Sequence, residues 1–113
     1  MNNLDRVLSS LESQQMRQSH NDAPPIGEGI NAILSGKAWG KGTNLICYFT
    51  EVDTSLKFTL SLFRSRSDTS MYCAPDNVVN FSDSEVVGKT YILNIQQSAR
   101  SKFPSLKKAR LAG

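Results

Sequence analysis

The sequence predicts a mainly β protein. Five short strands close into a small barrel, an N-terminal α-helical arm precedes them, and one short helix stands before the fourth strand. Three observations carry this expectation. Residues 57–64 alternate, with Phe58, Leu60 and Leu62 facing one way and Lys57, Thr59, Ser61 and Phe63 the other, which is the period of two of a strand with one buried and one wet face. Residues 45–50 are apolar on both faces through Ile46, Cys47, Tyr48 and Phe49, as in a central strand covered on both sides. Residues 89–97 alternate again, with Tyr91, Leu93 and Ile95 inward and Thr90, Asn94 and Gln96 outward. The polar turn 51–55 joins the first two of these runs into a hairpin.

The arm comes first. Leu4, Val7, Leu8 and Leu11 fall at i, i+3, i+4 and i+7, one apolar stripe of a helix over 3–19 with Asn2 or Asn3 as N-cap. The stripe covers barely two turns and does not hold an isolated helix, so it docks on the sheet, pairs with a second copy or engages another protein. His20 is expected to be an exposed helix-end residue. Residues 21–25 end in Pro24-Pro25, which stops the helix and extends the chain. This divides the chain into an arm, 1–22, and a barrel domain, 23–113.

Residues 26–39 read as the first strand, with Ile26, Glu28, Ile30, Ala32 and Leu34 on one side and Ile33 on the other. It runs into a loop over 36–42, where Gly36, Gly40 and Gly42 interleave with Lys37, Lys41 and the sole tryptophan, Trp39. The loop is not a phosphate-binding P-loop, because only three residues separate Gly36 from Gly40-Lys41 and Gly42 stands where Ser or Thr is required. Gly88-Lys89-Thr90 has the right ending, but Asp83 occupies the position of the first glycine. Nucleotide hydrolysis has no motif to support it. Two readings of the glycine loop stay open. In one, Trp39 is a stacking face for a base and the lysines meet phosphates; in the other, Trp39 caps the core and the lysines are solvated.

Beyond the central hairpin, Arg64 and Arg66 flank a polar loop, and Phe63 sits on the wet face beside them. A phenylalanine in that company is either a stacking ring or cover beneath a loop. Residues 71–73, with Tyr72, form a short strand. Ser82 and Glu85 fit a capping box for a single turn over 83–87 that ends at Gly88. After a turn over 98–101, residues 102–111 return as the last strand. Pro104 makes this strand an edge or moves its start beyond the proline.

Charge is unevenly placed. Residues 1–98 hold eight basic and all ten acidic side chains, net −2, whereas the last fifteen residues hold Arg100, Lys102, Lys107, Lys108 and Arg110 and no acid, net +5. Such a segment either attracts a polyanion through counterion release or serves as a solubilising end. At 113 residues the chain is one domain in size. Cys47 lies in an apolar strand, and two cysteines with one histidine cannot complete a zinc site. No metal, cofactor or disulfide is expected. Residues 1–6 have neither a basic start nor an apolar run, so no signal peptide is expected. No stretch approaches the roughly 20 apolar residues that span a bilayer. The expected compartment is the cytoplasm.

Strand, strand, strand, short helix, strand, strand is the order of an OB-fold, a five-stranded Greek-key barrel whose face and loops bind single strands and sugars. The C-terminal third also resembles the ending of small phage and plasmid single-stranded-DNA-binding proteins, through Tyr91-Ile92-Leu93, then 98–103, then Leu106-Lys107-Lys108-Ala109-Arg110-Leu111. The resemblance implies a single-stranded nucleic acid as partner, DNA ahead of RNA. Lys37, Lys41, Arg64, Arg66, Arg100, Lys102, Lys107, Lys108 and Arg110 would meet phosphates, and Trp39, Phe63, Tyr72 and Phe103 would stack on bases. The alternative is a virus- or plasmid-encoded protein-interaction module, a small inhibitor or adaptor that works through the helical stripe or a sheet edge. In either case Leu4, Val7, Leu8 and Leu11 are expected to bind a protein partner or a second copy, and a homodimer or higher is expected. An enzyme is not expected. The one histidine lies in the linker, and the carboxylate pairs Glu51/Asp53 and Asp83/Glu85 sit in turns where solvation or capping explains them.

Overall fold

A computed structural model describes residues 19–40, 44–64, 72–76 and 78–112. It contains β1 (Gly27–Trp39), β2 (Leu45–Glu51), β3 (Lys57–Leu62), a 3₁₀ turn (Ser84–Val86), β4 (Thr90–Gln96) and β5 (Ser105–Leu111). The five strands make one antiparallel sheet in the order β3-β2-β1-β4-β5. The mainly β expectation and the strand count hold. Closure does not: among the described residues no hydrogen-bonded ladder joins β3 to β5, although their backbones approach within 8 Å, Cα to Cα. The reason lies in the segment after residue 71. Tyr72 makes an antiparallel bridge to Arg64, just past β3, and Asp76 Oδ2 accepts the Ala109 N–H of β5 at 3.3 Å. This segment occupies the seam where a ladder would form.

The core lies on the concave face. Phe58, Leu60 and Leu62 are buried as their alternation requires, and β2 adds Leu45, Cys47 and Phe49. Phe49 stacks on Phe58 with centroids 5.7 Å apart, and Phe81 meets Phe49 edge-on at 6.1 Å and Tyr91 in a tilted contact at 5.2 Å. Phe81, fully buried, is supplied by the segment between β3 and β4, so one long-range ring closes the core under both halves of the sheet. Tyr91 keeps its hydroxyl satisfied by donating to the Val86 carbonyl at 2.8 Å, as a buried phenol must.

On its second face β2 is buried at Tyr48, under residues 20–22, and half-buried at Ile46 and Thr50. His20, 7% exposed, meets Tyr48 edge-on at 5.5 Å, while the Asp22 N–H donates to the Lys57 carbonyl at 2.9 Å and Asp22 Oδ2 accepts the Lys57 N–H at 2.9 Å. His20 is therefore a buried packing residue rather than an exposed helix end, and residues 20–22 are tied to the sheet across the expected domain boundary. The helical arm itself, with Leu4, Val7, Leu8 and Leu11, lies outside the described residues.

The expected capping box is replaced by a different device. The turn is 3₁₀, its N-cap is Asp83 and no side-chain cap bond is made there. Instead Asn80 Oδ1 accepts the N–H groups of Tyr72 (2.9 Å) and Ser82 (3.1 Å) and the Ser82 hydroxyl (2.8 Å), an Asx-type turn. Gly88 ends the segment at φ +90°, a conformation suited to glycine. The last strand starts at Ser105, beyond Pro104, and forms a sheet edge.

Candidate functional site

A bulge in β1 decides what stands at its far end. Up to Leu34 the even residues Ile30, Ala32 and Leu34 face the core. Between Leu34 and Gly36 the register slips by one, so that Lys37 pairs with Cys47 and Trp39 with Leu45. The slip exchanges faces, and Lys37 and Trp39 now share the face of the core strands at its rim. The expected loop over 36–42 is thereby shortened, since Gly36 to Trp39 belong to the strand. Gly40 closes the strand end through its N–H to the Asn44 carbonyl at 2.9 Å, and a Cβ there would meet the Asn44 side chain at 2.6 Å.

Lys37, expected among the cations that meet phosphate, has its ammonium engaged by main-chain carbonyls. Its ammonium donates to the Phe81 carbonyl at 2.9 Å and to the Asp83 carbonyl, clasping the 81–83 segment to the sheet. Burial lowers its pKa, opposed by the nearby Cys47 and Asp83. Across the pair, burial pushes the Cys47 thiol up to about 12, opposed by Lys37, so the thiol stays protonated and inert at neutral pH. Neither cysteine is in a disulfide, and both are buried.

Trp39 stands 60% exposed, its ring edge-to-face with Tyr72 at 5.0 Å and 78°. Tyr72 is 5% exposed, which leaves no face for a base and corrects its expected stacking role. Its hydroxyl accepts the Arg64 Nε–H at 2.9 Å, and Arg64 itself is exposed. Phe63 follows Leu62, the partner of Leu45, and is 66% exposed. Trp39, Phe63, Arg64 and Tyr72 thus gather at one end of β1, β2 and β3. Residues 20–22 lie over Tyr48 and bond the Lys57 backbone, while at the Trp39 end of the hairpin the outer face exposes Ser61 and Phe63 and leaves Ile46 half-buried.

The basic C-terminal residues form two further groups. Arg100, Lys102 and Phe103 are exposed in the β4–β5 turn, Phe103 at 76%. Ser101 Oγ shapes that turn by donating to the Phe103 carbonyl at 3.0 Å and accepting its N–H at 3.2 Å. In β5 a register shift at Asn94/Ile95 sets Leu106 opposite Ile95 and Lys108 opposite Asn94, leaving Lys107 as the extra, half-buried residue. Leu106 and Ala109 therefore both reach the core, while Lys108 and Arg110 turn out beside Asn94 and Ile92. They border a groove of about 640 Å³ whose other walls include Glu28 and Asp76.

The site residues expected from sequence are therefore not lined along one channel. The Trp39 group and the β4–β5 turn stand at opposite ends of β1, since Gly27 pairs with Ile95 and Trp39 with Leu45. Lys41 and Arg66 lie outside the described residues. Sequence reasoning missed Asn80, Asp76 and Glu28. Asn80 carried a signal, the Asn-x-Ser spacing of an Asx turn, whereas nothing local marks the other two. Among the described residues no group of three or more His, Cys, Asp or Glu side chains is placed to hold a metal, and no helix is long and apolar enough to cross a membrane. No protein-family model, curated protein or solved structure matches the chain.

Proposed function

We propose that the chain is an OB-like, partly open barrel that binds single-stranded nucleic acid, DNA ahead of RNA. The order β3-β2-β1-β4-β5, with β3 and β5 drawn near each other and a 3₁₀ turn between β3 and β4, supports the fold reading. In an OB-fold the β2–β3 face and the β1–β2 and β4–β5 connections receive the ligand. The observation that carries the functional reading is that both connections present an exposed aromatic with cations near it. Trp39 stands at the first, with Arg64 one ring away, and Phe103 at the second, with Arg100 and Lys102. Rings of this kind hold successive bases at about 1–3 kcal/mol each, and the cations meet the backbone. The sole histidine packs on Tyr48, and the Cys47 thiol is held protonated.

Edge capture of a protein strand has less support. The start of β3 is bonded to Asp22, the chain beyond its end is bridged by Tyr72, and β5 gives its Ala109 N–H to Asp76. Titration of labelled oligothymidylate, duplex DNA and RNA at several salt concentrations tests the proposal. Expected is preferential single-strand binding whose log K falls with log salt by about 0.7 for each phosphate contacted. Absence of binding at low salt, or binding indifferent to salt, overturns it.

A further inference from the structure

We propose that Tyr72 is a positioning residue that joins Trp39 and Arg64 into a seat for one nucleotide, the base on the indole and its phosphate on the guanidinium. The inference rests on the single-strand-binding reading above. Tyr72 is held at every main-chain polar group: it bridges Arg64, gives its N–H to Asn80 Oδ1 at 2.9 Å and receives the Phe81 N–H on its carbonyl at 2.8 Å. With its ring 5% exposed, its hydroxyl is a fixed point close to the surface. That hydroxyl accepts the Arg64 Nε–H at 2.9 Å. A free arginine loses much side-chain freedom on binding, and anchoring Nε removes part of that loss before a ligand arrives. The terminal nitrogens keep the planar fork that suits a phosphate. The same ring supports Trp39 edge-to-face at 5.0 Å, which sets the orientation of an indole that is otherwise 60% exposed. One buried phenol thereby controls both halves of the seat.

The test uses the full chain with oligothymidylate as probe, comparing wild type, Tyr72→Phe, Arg64→Met and the double variant. Tyr72→Phe keeps the ring, and with it the packing under Trp39, while removing the hydroxyl. It is expected to weaken binding about fivefold and to lower the salt slope by up to about 0.7, the value of one lost phosphate contact. Arg64→Met lowers the slope by the same amount, and the double variant is no weaker than Arg64→Met alone. Fluorescence of the sole tryptophan, quenched by a stacked base, reaches the same end point at saturation in all four proteins. Wild-type affinity and slope in Tyr72→Phe, or additive losses in the double variant, overturn the positioning role while leaving single-strand binding intact. A wild type that does not bind overturns both. Arg64→Lys, a change at an exposed side chain, repeats the test without touching the core: it keeps the charge but cannot hold the phenol through Nε, and is expected to bind as weakly as Tyr72→Phe.

Discussion

The β2–β3 hairpin pairs without interruption from Leu45 with Leu62 to Thr50 with Lys57, whereas the β4–β5 hairpin slips by one residue at Asn94/Ile95. The difference follows from what each strand must hide. In β3 strict alternation already buries Phe58, Leu60 and Leu62. In β5 it would carry Lys108 and Arg110 inward with Leu106, at the high cost of burying unpaired charge. The extra residue, Lys107, exchanges the faces, so that Leu106 and Ala109 pack and the cations leave. The bulge in β1 works the opposite way, turning a cation inward, and Lys37 is accepted there because two carbonyls receive it. Regular pairing builds the core; irregular pairing decides where charge stands.

The largest effect should come from the regular hairpin. Phe58→Ala removes a fully buried ring stacked on Phe49 and is expected to cost about 3–5 kcal/mol, read from urea unfolding. A loss well under 1 kcal/mol would mean that this hairpin is not the centre of the core. Lys37→Met is expected to cost about 1–3 kcal/mol, because the Phe81 and Asp83 carbonyls lose their shared donor, with the salt slope of nucleic-acid binding unchanged. A lower slope with unchanged stability would return Lys37 to the ligand-binding cations. The smallest effect on stability belongs to the bulged hairpin. Lys108→Ala combined with Arg110→Ala should stay within about 0.5 kcal/mol per site, as exposed positions do, yet lower the salt slope by about 0.7 for each phosphate contact removed. Stability falling as far as in Lys37→Met would abolish the contrast between inward and outward cations.

Much of this was legible in residue order. The exposure of Phe63 followed directly from the alternation of β3, and the burial of Tyr48 between Cys47 and Phe49 from the unbroken apolar run of β2. The candidate site was legible in part: Arg100, Lys102 and Phe103 are as exposed as their turn implied, and Arg64 is exposed as well. The carbonyl partners of Lys37 were not legible, because they lie 44 and 46 positions away. The burial of Tyr72 was not legible, because a ring in a short polar-flanked segment gives no sign that Trp39 packs against it. The barrel stayed open for a similar reason: a seam filled by residues 72–76 cannot be told from a seam left for a ladder until both strands are in place.

Residue types and their spacing alone settled the β class, the positions of the strands, the inward set of β3 and β4, and the concentration of positive charge at the C-terminal end. These depend on local alternation and composition, which each strand carries within itself. The tertiary structure decided the two register shifts, the clasp made by Lys37, the burial of His20 and Tyr72, and the open β3–β5 seam. Each of those depends on which distant backbone stands opposite, and a slip of one residue against that partner reverses every side chain that follows it.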